Sequence, residues 1–412
     1  MFSPHDRAIL RELARKQLEV HHSEKNQERI ALWKLHNSFR SRRPMIHIEI
    51  DTFAQEIIEP CLRCQDPLAR RLEADLYHSF TNLLEFDDDK VVPDYFPVLW
   101  DTYFRPFGYE ITSTHAVSSD GSSVGHHFNY VIDDLGEAYD SLKPSVFGVN
   151  REQSAAYRQA AEEAFGDILP VRMSMNALYA VPTQHVVHMM GMENMCFAMY
   201  DYPEQFLGML DRLADDYLAF FQMLEKEGYL LPTTSFQRLM QGSFCFTDEL
   251  PGQGPLTTRD VWGFLDSQET VSISPAMYHD FIFPCYQRIA GCYGLLSYGC
   301  CEPTDPIWDD IKTLPNLRKV SISPWCNEEV MGERLRGART VYLRKPSPNF
   351  LGVGTRLDEE AVKEHFLRTI NAARGCTLEF AQRDVYTVNH DVGKVRRYVS
   401  IIRELIDRYW QA

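Results

Sequence analysis

No stretch of this chain approaches the ~20 consecutive apolar residues that a bilayer-spanning helix requires, and no early segment couples a basic start to an unbroken apolar run. The expectation is a soluble, cytoplasmic protein with no membrane partner. Cysteine is scarce. Ten in 412 residues, irregularly spaced and with Cys300 and Cys301 adjacent, give no ladder of bridges and read mostly as reduced thiols. Positive charge is in deficit too, with 42 Lys and Arg against 58 Asp and Glu and a formal net charge of -16. That argues against nucleic acid or an anionic membrane surface as partner, because both select basic faces. Also missing is a glycine-rich phosphate loop after the first strand-like segment, Pro44 to Ile50, where a doubly wound dinucleotide fold usually carries one. Cys61-x-x-Cys64 has no second pair and no strand-to-helix context, so it reads as helix packing rather than a redox motif.

What is present is size and periodicity. A chain with 44% hydrophobic residues can bury a large core. Residues 1 to 40 carry charged, helix-forming types with Ile9, Leu10 and Leu13 at helical spacing, which predicts a helical arm ahead of a single domain over 41 to 412. Pro44 to Ile50 alternates apolar and polar residues as a first strand would, and Phe53 to Leu84 returns to a helical pattern. Asp87 to Gly148 mixes aromatic pieces with proline and glycine; its clearest feature is a loop at Ser118 to Ser123, followed by His126 and His127. A helix from Arg151 to Phe165 and a strand within Met173 to Val181 come next. Tyr202-Pro203-Glu204 then opens the strongest helix, whose apolar stripe runs from Phe206 to Leu224 with Gly228 just beyond its end.

From Val261 onward the pattern becomes regular. Strands predicted at 262–265, 295–298, 319–323, 340–343 and 377–380 alternate with helices at 275–289, 308–313, 328–335, 359–373 and 395–409. Such alternation implies a parallel sheet with right-handed crossovers. With about three strands upstream, the expected fold class is α/β, a (β/α)8 TIM-type barrel with an N-terminal helical extension. A doubly wound sheet is the competing architecture.

The segment Leu295 to Pro303 reads as a buried strand that stops at Gly299 and delivers two thiols and a carboxylate to the C-terminal mouth of the barrel. A thiolate there is a metal ligand or nucleophile, and a carboxylate a metal ligand or general acid. The bland alternative makes the cysteines small buried hydrophobes and Glu302 the start of a loop. The candidate catalytic residues are Glu302, Tyr298 and Asp266, and the candidate metal ligands are Cys300 and Cys301. Candidate substrate contacts are Trp325, Arg344, His126 and Asn389, while Glu269, Cys326, Lys345, Gln382, Arg383 and Asp384 stand at neighbouring strand ends.

Several motifs come in a telling order over residues 170 to 410: the helix opening Asp201-Tyr202-Pro203-Glu204, the Ser274-Pro275 start and Phe283-Pro284 of a later helix, and the strand end at Tyr298. In that order and spacing they resemble the uroporphyrinogen decarboxylase-like superfamily, which includes cobalamin-dependent methyltransferases acting on methylated corrinoid proteins. The resemblance implies a β/α barrel with its site at the C-terminal mouth. It also implies a methyl group moved between a small molecule, an aryl methyl ether or a thiol, and the cobalamin of a corrinoid protein. The branch that uses zinc carries a His-x-Cys pair at this strand end and a further cysteine after the last strand. Here Tyr298-Gly299-Cys300 and Ala381-Gln382-Arg383-Asp384 stand at those places, so only Cys300 carries over. The arginine-rich motif of true decarboxylases is echoed by Arg40-Ser41-Arg42-Arg43-Pro44 without its usual surroundings.

Three functional expectations follow from residues and resemblance together. The first is methyl transfer, with cobalamin, free or on a corrinoid partner, as cofactor and zinc as the candidate metal. The second is decarboxylation of a porphyrinogen-like or smaller acid, with Arg344, Lys345 and Arg383 on the carboxylates. The third is a non-catalytic ligand-binding barrel. A homodimer is left open.

Overall fold

The computed structural model describes residues 2–41, 43–117 and 123–411, apart from the side chains at 115–117 and 123–126. Arg42 and most of the serine-rich loop, 118–122, lie outside the described residues. Two helices open the chain, Pro4–His21 and Glu24–Asn37, each started by a serine whose hydroxyl accepts from the backbone N–H three residues on. Both dock by their apolar faces. Ile9, Leu10 and Leu13 of the first pack with Leu72 and Leu76 of helix Pro67–Thr81 and with Ala161 and Phe165 of helix Arg151–Phe165. Trp33 of the second is buried with Met45, Phe244 and Phe246.

Strands follow in chain order: β1 (Met45–Ile48), β2 (Phe96–Leu99), β3 (Thr102–Arg105), β4 (Ser113–Val117), β5 (Ser123–Phe128), β6 (Val146–Val149), β7 (Val171–Ser174) and β8 (Leu178–Ala180). After helix Pro203–Lys226 come a short hairpin, β9 (Arg238–Leu239) and β10 (Ser243–Phe244), then β11 (Trp262–Leu265), β12 (Leu295–Tyr298), β13 (Leu317–Ile322), β14 (Val341–Arg344) and β15 (Thr377–Gln382). Seven of these form one parallel sheet in the order β1-β15-β14-β13-β12-β11-β8, so that the first strand pairs with the last, Met45 opposite Glu379. Strand–helix alternation with both sheet faces covered is what an α/β barrel requires.

The expected eight strands are seven in the ladder, and the reason is chemical. Between β1 and β8, the segment Asp88 to Val92 runs beside β1, with Asp89 N–H donating to the Ile46 carbonyl at 2.7 Å. The Ile46 and Ile48 N–H groups, however, donate to the carboxylates of Asp89 and Asp88, each at 2.8 Å. Side-chain oxygens take the place of backbone carbonyls, so the bonds are satisfied without a ladder. The barrel strand expected within Met173 to Val181 is β8, while the start of that stretch belongs to β7, which pairs with β2 outside the main sheet. One further expectation is corrected. The helix expected at 275–289 contains a π-turn at Tyr278–Ile282, just ahead of Pro284, which has no N–H to donate back.

Period-two alternation sorts the sheet. Leu296, Tyr298, Val320, Ile322, Tyr342, Leu378 and Phe380 sit in the core between strands and helices. The alternate positions face the lumen, where Trp262 and Leu295 meet Leu239 and Cys245 of the hairpin segment. At the lumen base Lys319 and Glu379 form an ion pair at 2.8 Å, both fully buried, with His36 Nε2 3.2 Å from the same carboxylate. Among the described residues no helix is long and apolar enough to cross a membrane.

Candidate active site

At the C-terminal mouth, Leu265 of β11 lies opposite Tyr298 of β12. Alternation carried one step past each strand then decides which side chains enter the lumen. Asp266 shares the face of Trp262, and Ser267 turns outward, where its hydroxyl lies 2.7 Å from the Tyr298 hydroxyl. Tyr298 is wholly buried, with its hydroxyl a further 2.7 Å from that of Tyr278. It belongs to the strand–helix layer rather than the lumen, and burial drives its phenol well above the ordinary value. Arg344 is displaced by the same one-residue parity. It ion-pairs with Glu328 at 2.6 Å and donates to the carbonyls of Ile322 and Ser323, bracing β14 against β13 and helix Glu328–Leu335. The cation that does enter the lumen is the next residue, Lys345.

Gly299 has φ +100°, and a Cβ there would stand 3.0 Å from that of Ser321, so the break after β12 requires glycine. Beyond it Glu302 folds back. One carboxylate oxygen accepts from Cys300 N–H at 2.8 Å and the other from Ser267 N–H at 2.9 Å, which staples the ends of β11 and β12 together. At 1% exposure both oxygens of this carboxylate are engaged by backbone N–H groups, and a Glu302→Gln variant, which turns one acceptor into a donor facing a backbone N–H, is expected to lose about 1–3 kcal/mol of stability. An unchanged denaturation midpoint would refute the staple.

Asp266 has the opposite character. Burial, reinforced by the charge of Glu302, drives its carboxyl well above the usual carboxylate range, and its Oδ1 has no hydrogen-bond partner among the described residues. Nearby Glu269, on the turn Gln268–Thr270, is also pushed up by burial and accepts from the Thr183 hydroxyl at 2.9 Å.

The two adjacent thiols approach to 3.6 Å. The bond between them pulls Cys301 below its ordinary value, against burial and with help from Lys345 and Arg383, and pushes Cys300 up. Asp384 lies 3.9 Å from Cys301. Whether zinc would fit is decided by the donor set: among the described residues no three His, Cys, Asp or Glu side chains converge as a metal site. Cys326 is committed elsewhere, its sulfur accepting from Thr304 N–H at 3.1 Å. Two cations beside the thiol pair would also repel a dication, so these residues do not fit zinc.

Lys345 Nζ donates to the carbonyl of Cys300 at 2.8 Å and to Gln241 Oε1 at 2.5 Å, and Arg383 donates to that same Gln241 oxygen while pairing with Glu49 at 2.8 Å. Gln241 arrives from the turn of the β9–β10 hairpin. Among the remaining candidates, Trp325 is a rim residue, 77% exposed, and Asn389 lies in an exposed left-handed turn past β15. His126 pairs with His115 in the β4–β5 ribbon, but its side chain lies outside the described residues. Glu49 and Gln241 went unread in the sequence. Glu49 was accessible through the alternation of β1, whereas nothing local marks Gln241.

No family model and no curated protein matches this chain. Among solved structures, a methyltransferase from Methanosarcina mazei aligns over 92% of this chain and 98% of its own length, at 11% identity and a TM-score of 0.50. At that identity the likeness shows a shared fold, in keeping with the parallel α/β barrel described above. A B12-independent methionine synthase from a Shewanella species, solved with selenomethionine, aligns over 72% of this chain and 76% of its own at 12% identity and a TM-score of 0.28, too slight to bear on fold or function.

Proposed function

We propose that this chain is a methyltransferase that moves a methyl group between a small molecule and the cobalamin of a corrinoid protein, with Asp266 as general acid. The observation that carries the reading is the Asp266 carboxyl: buried, pushed toward its neutral form, with one oxygen unpartnered at the end of a barrel strand. An aryl or alkyl oxide is a poor leaving group, and a carboxylic acid that stays protonated near neutral pH can hand it a proton as the methyl–oxygen bond breaks. The electron pair of that bond goes to oxygen, the methyl group to the attacking nucleophile, and Asp266 is left as the carboxylate. Reduced cobalamin supplies that nucleophile when its carrier docks. Glu302 holds the two strand ends, and so Asp266, in register. The shared fold with the Methanosarcina methyltransferase supports the reading at the level of architecture.

The test is an anaerobic visible spectrum of cob(I)alamin with the protein and a panel of methyl donors, aryl methyl ethers first, with and without a corrinoid protein. Conversion to methylcobalamin is the expected result. No conversion with any donor would overturn the proposal, and carbon dioxide released from a carboxylic acid without cobalamin would establish the decarboxylase alternative instead.

A further inference from the structure

Buried cations need a counter-charge, and one at this mouth has none of its own. Lys345 is 3% exposed, and its ammonium meets three neutral oxygens, those of Gln241, Gly299 and Cys300. Among the described residues no carboxylate lies within ion-pair distance of it. Arg383 directs a second guanidinium N–H at the same Gln241 oxygen, so two positive groups converge on one point that a neutral amide occupies. The amide is held there by a loop under strain: Gln241 has φ +68°, the left-handed region that non-glycine residues adopt at a cost, and Gly242 follows at +80°. Met240, the residue before Gln241, borders a cavity of about 260 Å³ together with Tyr179 and Tyr217.

We propose that Lys345 and Arg383 form the recognition point for a carboxylate on the substrate, and that the Gln241 amide oxygen is an internal stand-in which the substrate displaces by pushing the β9–β10 turn aside. A carboxylate brings two oxygens and a negative charge where the amide brings one neutral oxygen, so exchange replaces an uncompensated buried ammonium by a paired one. This identifies the substrate as an anionic small molecule. It rests on the strand-end cluster being the substrate site, but not on the chemistry performed there.

Cys301 provides a reporter, because its sulfur is beside this point and half-buried. Iodoacetate and iodoacetamide alkylate a thiolate by the same displacement, the sulfur–carbon bond forming as iodide leaves, and they differ in the carboxylate. A thiolate without a nearby cation site repels iodoacetate and reacts faster with iodoacetamide. Peptide mapping of alkylation at Cys301 is expected to show the reverse, iodoacetate faster by about tenfold, with saturation and with protection by acetate. Gln241→Ala should keep or enlarge that preference. Gln241→Glu, which brings its own carboxylate to the two cations, should abolish it while circular dichroism stays native. Faster alkylation by iodoacetamide in both the wild type and Gln241→Ala, or no labelling of Cys301 by either reagent, would overturn the proposal. No methyl donor enters this assay, so its failure and failure of the cobalamin assay are separate results.

Discussion

An Asp266→Asn variant is expected to transfer methyl groups about 10²–10⁴-fold more slowly than the wild type, the usual range for loss of a positioned general acid. The side chain keeps its shape and loses its proton. The pH dependence separates this from a structural effect. Because burial and the Glu302 charge hold the Asp266 carboxyl well above the ordinary carboxylate value, its acid form persists to higher pH than that of an ordinary carboxylic acid. Wild-type activity should therefore hold past the ordinary carboxylate range and fall as pH rises through that elevated pKa, whereas the residual activity of the variant should lack this falling limb. The stability of the wild type should fall over the same pH range. A buried acid with a raised folded-state pKa binds its proton more tightly in the folded state, so it makes the wild type less stable as pH rises. Asparagine cannot ionise, and the variant should be at least as stable as the wild type at alkaline pH. A variant that retains wild-type rates and an unchanged pH profile would remove Asp266 from the mechanism.

The regular half of the fold was legible because the strands from Trp262 to Gln382 are short apolar or alternating runs bounded by turn residues, and each intervening helix shows its stripe or cap. The arrival of Cys300, Cys301 and Glu302 together at one strand end was legible for the same reason. What was hidden is the parity of side chains at the strand ends. Arg344 and Lys345 are adjacent and chemically alike, yet one braces a helix and the other reaches the lumen, and the choice depends on a register that is settled only when seven strands pair. Tyr298 fails as a lumen residue by the same single step. Segment 88–92 gave no strand signal because its bonds run through aspartate side chains. Gln241, about sixty residues ahead of the thiols, reaches them through a hairpin that leaves no period in the sequence.

The other large effect is expected at the opposite end of the lumen. Glu379→Gln should lower stability by about 3–5 kcal/mol, because it leaves the fully buried Lys319 ammonium without its counter-ion. Burial alone would push the Glu379 carboxyl up, but Lys319 and His36 outweigh it and hold the group down at about 2. A depressed folded-state pKa stabilises the fold above the ordinary value of 4.5, and that contribution is lost as pH falls from there toward about 2. The gap in denaturation midpoint between wild type and Glu379→Gln should accordingly be full at pH 7 and shrink below pH ~4.5. Replacing both partners, Lys319→Met with Glu379→Leu, should cost less than either single change, since a buried pair exchanged for apolar side chains leaves no orphaned charge. A gap that stays constant with pH, or a double variant weaker than both singles, would show that the pair acts by packing rather than by charge. The consequence extends upward, because Lys319 Nζ also donates to the Ser243 hydroxyl at 2.6 Å. Ser243 begins the return strand of the hairpin whose turn carries Gln241, so the charge pair at the base is tied by one hydrogen bond to the segment that presents Gln241 to Lys345 and Arg383.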